Sequence, residues 1–156
     1  IYDRFFHGPR FQAHGGLVKG VESNGDFGAD GIALLRNQLP NSTLFEEDPV
    51  LLESLPMLIE SCFQNAGLVA MEIDKISSLP IGIDECILLK LPGQRDSLRV
   101  RSYRRDEEES GVTVHDAVVF NQNMKPIVSL RGLRLKGMAP VPEGLQFNLS
   151  RKGISN

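Results

Sequence analysis

Glu60, Gln64 and Gly67 are spaced so that they share one face of an α-helix. Apolar residues occupy nearly all the other positions of this segment, so the helix is predicted to be largely buried. An ionised carboxylate is costly there unless it is paired, and a carboxyl group beside an amide suits general acid or base work. Glu60 is therefore a candidate catalytic residue with Gln64 beside it. The structural alternative is a Glu60 that simply reaches solvent at the edge of the helix.

Histidine is scarce, with only His7, His14 and His115 in the chain. A mechanism that needs an imidazole base must use one of these or a histidine from elsewhere. His115 lies within a strand-like run, where contacts with sheet neighbours are favoured over a catalytic role. The two cysteines, Cys62 and Cys86, are too few for a thiolate metal cage, and Cys62 is predicted to be a small core residue.

The composition restricts the classes of protein. The 156 residues, 41% apolar, are enough for one globular domain with a core. The net charge of −3 argues against nucleic acid or an anionic membrane as a partner. No uninterrupted apolar stretch approaches the ~20 residues of a membrane-spanning helix. Few cysteines and no secretory pattern favour the cytoplasm, and the missing initial Met indicates a segment of a longer protein.

The periodicity predicts an α+β domain over residues 1–139, followed by a tail at 140–156 that frays. One helix is expected to begin near residue 55, with Ser54 as its cap and Pro56 in its first turn. A turn at Asn24-Gly25 joins two extended segments. The charged residues 104–111 and the residues 121–123 are predicted to be turns. The predicted strands cover residues 11–22, 32–35, 83–91, 98–104, 112–120 and 127–136.

Three segments, in the right order, resemble the C-terminal half of polyketide synthase dehydratase domains, which are related to the dehydratases of polyunsaturated fatty acid synthases. Residues 6–12 resemble a Tyr-Gly-Pro-x-Phe-Gln motif, and residues 79–83 resemble a Leu-Pro-x-x-Ile strand start. Residues 55–68 are similar to the helix motif His-Pro-x-Leu-Leu-Asp-x-x-x-Gln-x-x-Gly. The register of that motif holds at Pro56, Leu58, Gln64 and Gly67.

The resemblance implies a hot-dog fold, in which a curved antiparallel β-sheet wraps a long central helix. It places Glu60 at the family's catalytic Asp and Gln64 at the Gln that orients that Asp. It also places Gly8 and Pro9 in a loop that lines the thioester pocket, with His7 at the motif's Tyr. The family's catalytic His lies in a His-x-x-x-Gly-x-x-x-x-Pro motif of the other half-domain, which has no match here.

The implied function is one half of a 3-hydroxyacyl-carrier-protein dehydratase, a hydro-lyase of polyketide or polyunsaturated fatty acid synthesis. It needs no cofactor, because its substrate is carried on the phosphopantetheine of an acyl carrier protein. The base would come from a second hot-dog domain, either an upstream half or another copy. Two alternatives stay open: a product-template-like cyclisation domain and a non-catalytic scaffold that binds acyl chains. Arginines on outer strand faces either are solvated or contact the acidic carrier: Arg99, Arg101 and Arg131.

Overall fold

The computed structural model describes residues 12–23, 26–34, 49–92 and 96–142. One helix and seven strands follow one another as β1 (His14–Ser23), β2 (Asp26–Ala33), α1 (Pro49–Asp74), β3 (Ile76–Gly82), β4 (Glu85–Leu88), β5 (Leu98–Glu109), β6 (Val112–Phe120) and β7 (Pro126–Pro140). All strand pairs are antiparallel, in the order β1-β2-β5-β6-β7-β3, with β4 also paired to β7. The predicted α+β class, a curved antiparallel sheet with one helix, is confirmed.

The core lies between α1 and one face of the sheet. The helix contributes a buried stripe at four-residue spacing, formed by Leu58, Cys62, Ala66 and Ala70. The last three of these side chains are small, so the helix packs close to the strands. On β5, the buried Leu98 and Val100 alternate with the outward-facing Arg99 and Arg101, as the period of two requires. The core position predicted for Cys62 is confirmed, and burial raises the pKa of its thiol.

The helix begins at Pro49 rather than near residue 55, so Pro56 lies inside it instead of in its first turn. Proline is favoured at the first helical position, so Pro49 was a better sequence signal for the start of the helix than Ser54 and Pro56. Inside a helix, Pro56 removes one backbone donor. Leu55 and Ile59 pack against the core on either side of it and hold this part of the helix in place.

The predicted strand at residues 83–91 is wrong in its bounds. The chain enters β3 directly from α1, because Lys75 adopts a left-handed φ of 57° that ends the helix. Both β3 and β4 pair with β7, and Asp84 lies between them, its backbone N–H donating to the Arg131 carbonyl at 3.1 Å. Pro80 within β3 fits an edge strand, where one missing donor is tolerated.

The charged segment 104–111 is mostly strand rather than turn. Strand β5 continues to Glu109, and the chain reverses at Gly111, which has a positive φ of 72°. Arg105 forms a two-pronged ion pair with Asp116 on β6, with N···O distances of 2.9 and 2.7 Å. Arg105 therefore pairs with a carboxylate of the neighbouring strand rather than with a charge of its own segment. The turn predicted at residues 121–123 is confirmed, with Asn121 Oδ1 accepting two backbone N–H bonds.

Both ends of the chain extend past the described residues. Strand β7 is longer than predicted and ends at Pro140, one residue into the predicted tail. Residues 143–156, most of that tail, lie outside the described residues. The same holds for the turn residues Asn24 and Gly25. The flanking strands β1 and β2 form an antiparallel hairpin as predicted, but β2 covers Asp26–Ala33 rather than residues 32–35.

Candidate functional site

The two catalytic candidates are in direct contact on α1. Gln64 Nε2 donates a hydrogen bond to Glu60 Oε1 at 2.9 Å. The Gln64 side chain is 1% exposed, so packing fixes its amide, whereas Glu60 is half-buried. The helical spacing that predicted a shared face is thus realised as a bond between the two side chains. This arrangement presents one carboxyl group, oriented by a buried amide, at the border between core and surface.

The other predicted site residues, His7, Gly8 and Pro9, lie outside the described residues. Leu55, which stands where the family motif has His, packs against the core.

In the part of the chain that the structure describes, no three His, Cys, Asp or Glu residues are grouped to hold a metal ion. Nor does any described helix combine the length and apolar character needed to span a membrane.

A buried polar cluster centred on Asn65 was not predicted. Asn65 Nδ2 donates to the Ala29 carbonyl at 2.9 Å and to Ser102 Oγ at 2.7 Å. Its Oδ1 lies 2.8 Å from His14 Nε2, which fits a ring N–H donating to the amide oxygen. The side chains of Asn65, Ser102 and His14 are all essentially inaccessible. One amide thereby ties α1 to strands β1, β2 and β5, one residue after Gln64.

Gly31 is required by the same cluster. A Cβ added at Gly31 would lie 2.3 Å from His14 Nε2 and 2.5 Å from Asn65 Oδ1, so only glycine leaves room for that hydrogen bond. The sequence signal that was available was Ser61 and Asn65, two polar residues four apart on the apolar side of the helix. Polar residues at such positions indicate an internal hydrogen-bond network.

Both described histidines are buried inside the domain. Burial is the main cause that lowers the pKa of His14, and its bond to Asn65 opposes this. Burial also lowers the pKa of His115 to about 4, and the nearby Arg104 charge adds to the lowering. The His115 Nε2 atom lies 3.0 Å from Thr113 Oγ1 on the same strand. The structural interpretation of His115 is therefore correct, although its bonding partner is on its own strand rather than across the sheet.

These buried histidines predict that acid destabilises the fold. The unfolded chain binds protons near pH 6.5 and folded His115 only near pH 4, so stability falls as pH drops through this interval. His115 alone accounts for about 3 kcal/mol of unfolding free energy lost between pH 7 and pH 4. Urea unfolding across this range should show the His115→Asn variant losing about 3 kcal/mol less than the parent. Equal losses in both proteins would contradict the buried neutral imidazole.

Of the three arginines predicted on outer strand faces, Arg101 forms a close ion pair. Arg101 donates hydrogen bonds from Nε and Nη2 to the buried Asp30 carboxylate, and the Nη2···Oδ2 distance is 2.8 Å. The Arg101 guanidinium carbon also lies 5.3 Å from the centre of the Phe120 ring. The expectation that Arg101 is solvated is therefore wrong, because a buried carboxylate requires a partner. Arg99 is exposed, and Arg131 is 62% exposed with Glu85 3.7 Å away.

Comparisons with known proteins identify the fold. No protein-family model and no curated protein matches the sequence. A Streptococcus mutans protein solved with acetyl-CoA is similar with a TM-score of 0.57 and 13% identity, covering 81% of this chain and 92% of that one. A hypothetical thioesterase from Streptococcus pneumoniae, solved with coenzyme A, has a TM-score of 0.56 and 14% identity, covering 74% and 84%.

A third similar structure is the dehydratase domain from the CurJ module of the curacin polyketide synthase. It gives a TM-score of 0.54 and 19% identity, covering 89% of this chain and 47% of that one. Taken with the observed topology, these matches identify a hot-dog fold with a curved antiparallel half-barrel sheet and one helix. The sheet wrapped around a long central helix stays a prediction.

Proposed function

We propose that this chain processes acyl thioesters as one half of a 3-hydroxyacyl-thioester dehydratase, with Glu60 as the acid. The observation that carries the proposal is the 2.9 Å bond from the buried Gln64 amide to the Glu60 carboxyl group. The matched fold supports it, since similar structures include a polyketide synthase dehydratase domain and proteins solved with acetyl-CoA or coenzyme A.

The proposed reaction removes water from the substrate. A base takes the proton next to the thioester carbonyl, the electrons of that C–H bond form the C=C bond, and the C–O bond breaks. Glu60 gives its proton to the departing oxygen, which leaves as water. Because Glu60 Oε1 accepts the hydrogen bond from Gln64, a proton held by this carboxyl group lies on Oε2. Gln64 thus selects which oxygen donates.

The base comes from a second hot-dog domain in this proposal. Both described histidines, His14 and His115, are buried in structural hydrogen bonds, away from any surface that a substrate could reach. The edge formed by β3 and β4 offers a surface for such a partner. Its exposed apolar side chains are Ile76, Leu79, Ile81, Ile87 and Leu88. The partner is an upstream half or a second copy of this chain.

An acyl carrier protein delivers the substrate in this proposal, on its phosphopantetheine arm, and no further cofactor takes part. Among the predicted arginines, Arg99 and Arg131 are exposed and could contact an acidic carrier. Arg101 is not counted among them, because its charge is already paired with Asp30.

Thioester hydrolysis is the second candidate, because one of the similar structures is described as a hypothetical thioesterase. A helix carboxylate serves hydrolysis as a general base that activates water. The two reactions give different products from one substrate. Dehydration leaves the thioester intact and forms an enoyl group, whereas hydrolysis releases a free thiol and a hydroxy acid.

The test is to incubate the complete enzyme with a 3-hydroxyacyl pantetheine thioester and to identify the products by mass spectrometry. We expect the enoyl thioester, smaller than the substrate by one water, with no free thiol above the uncatalysed background. Free thiol as the main product would overturn the dehydratase proposal in favour of hydrolysis. A cyclised product would instead support the product-template alternative. An unchanged but bound substrate would support the acyl-binding scaffold.

A further inference from the structure

A cavity lies at the carboxyl end of α1, away from Glu60. It has a volume of about 360 Å³ and is bounded by the end of α1, β3, β5, the start of β6 and the last part of β7. This volume falls within the range of small-molecule sites. Its walls include Asp74, which is 14 residues after Glu60 and therefore about 21 Å away along the helix. The cavity is separate from the proposed acyl-thioester site.

The charges in the cavity wall already neutralise each other. The Arg104 guanidinium donates a hydrogen bond to Asp74, and the two side chains are only 16% and 19% exposed. An anion or a cation entering the cavity would lose its hydration and find its natural counter-charge occupied. This wall therefore favours a ligand without net charge.

One hydroxyl group in the wall is prepared to donate. Thr113 Oγ1 lies 3.0 Å from His115 Nε2, while the buried His115 Nδ1 has no partner among the described residues. A buried N–H without an acceptor is rarer than a buried lone pair without a donor, so the ring proton belongs on Nε2. Nε2–H then donates to Thr113 Oγ1, so the hydroxyl hydrogen of Thr113, a residue of the cavity wall, is not used by His115.

The rest of the wall is mainly apolar. Ile76 and Met138 line the cavity and are 38% and 59% exposed, so a bound molecule would remove their apolar surface from water. Ser78 adds a second hydroxyl group. The cavity thus combines an apolar surface, a neutralised ion pair and a hydroxyl donor held by a buried imidazole.

We propose that this cavity is a binding site for a small uncharged molecule with an apolar body and one carbonyl-type oxygen that accepts a hydrogen bond from Thr113. The site shares no residue with the Glu60 and Gln64 pair, although its wall residue Ile76 also belongs to the proposed partner edge of β3 and β4.

Three probes of similar size and different chemistry test the proposal on the 156-residue chain. Acetophenone has the acceptor, ethylbenzene lacks it, and benzoate carries a negative charge. Titration followed by backbone amide NMR should show acetophenone binding with a Kd of about 1 mM. Its shifts should lie at the backbone amides of residues 111–113 and 137–139. Ethylbenzene and benzoate should bind at least about fivefold more weakly. Benzoate binding as tightly as acetophenone, or acetophenone shifts confined to other parts of the chain, would overturn the proposal.

Matched variants test the hydrogen bond. Thr113→Val keeps the shape of the side chain but removes the hydroxyl group, whereas Thr113→Ser keeps it. We expect about fivefold weaker acetophenone binding in Thr113→Val and parent-like binding in Thr113→Ser. Equal affinity in both variants would overturn the role of Thr113. Because the probe comparison uses the unmodified chain, it decides the proposal even where a variant fails to fold.

Discussion

Replacing Glu60 with Gln is expected to slow dehydration by the complete enzyme by about 10²–10⁴-fold. Glutamine has the same length and keeps a hydrogen-bonding oxygen for Gln64, but its amide cannot supply a proton to the leaving hydroxyl group. The loss should therefore appear in kcat, with substrate affinity and folding little changed. The measurement is the rate of enoyl thioester formation from a 3-hydroxyacyl pantetheine thioester, together with the unfolding midpoint of each protein.

Glu72→Gln is the matched control for this prediction. Glu72 is another half-buried glutamate of the same helix, and it lies 3.6 Å from Lys75 near the carboxyl end rather than beside Gln64. We expect its dehydration rate to stay within a few-fold of the parent rate. If Glu60→Gln turned over as fast as the parent, or if Glu72→Gln lost activity to the same extent, Glu60 would not be the acid.

Replacing Asn65 with Leu is expected to lower the free energy of unfolding by about 3 kcal/mol or more. Leucine has a similar size but leaves Ser102 Oγ and the Ala29 carbonyl buried without the Asn65 donor, and His14 Nε2 without its acceptor. Each such buried group typically costs about 1–3 kcal/mol. Urea unfolding monitored by circular dichroism measures this as a lower midpoint with an unchanged slope.

Asn123→Ala is the control for the Asn65 variant. Asn123 is exposed in the β6–β7 turn, where its backbone N–H donates to Asn121 Oδ1 and this bond survives the substitution. The unfolding free energy of the Asn123→Ala variant should stay within about 0.5 kcal/mol of the parent value. An Asn65→Leu variant as stable as Asn123→Ala would show that the buried cluster does not hold α1 on the sheet.

The part of the site that sequence could predict depends on local periodicity. The four-residue separation of Glu60 and Gln64 fixes their shared face in any α-helix, and the structure shows the resulting bond. Asn65 is adjacent in sequence, but its importance depends on Ala29, Ser102 and His14, which come from three strands. No local pattern contains those pairings.

The strands, like the site residues, could be predicted where a local pattern defines them and not where pairing with a distant segment does. Strands with clean alternation, such as β6 and the first half of β5, were predicted because the pattern reports the buried face directly. The periodicity missed strand β3, although residues 79–83 resemble a strand start of the dehydratase family, because β3 is largely exposed, contains Pro80 and is defined by pairing with β7. The charged end of β5 was taken for a turn, since its ion pair with Asp116 forms across strands.

The most direct test of the central claim follows where water oxygen goes in the reverse reaction. The complete enzyme is incubated with a 2-enoyl pantetheine thioester in water labelled with a heavy oxygen isotope, and the products are analysed by mass spectrometry. We expect the label in a 3-hydroxyl group on an intact thioester, and its loss in the Glu60→Gln variant. Label in a free carboxylate with release of thiol, unaffected by Glu60→Gln, would contradict it.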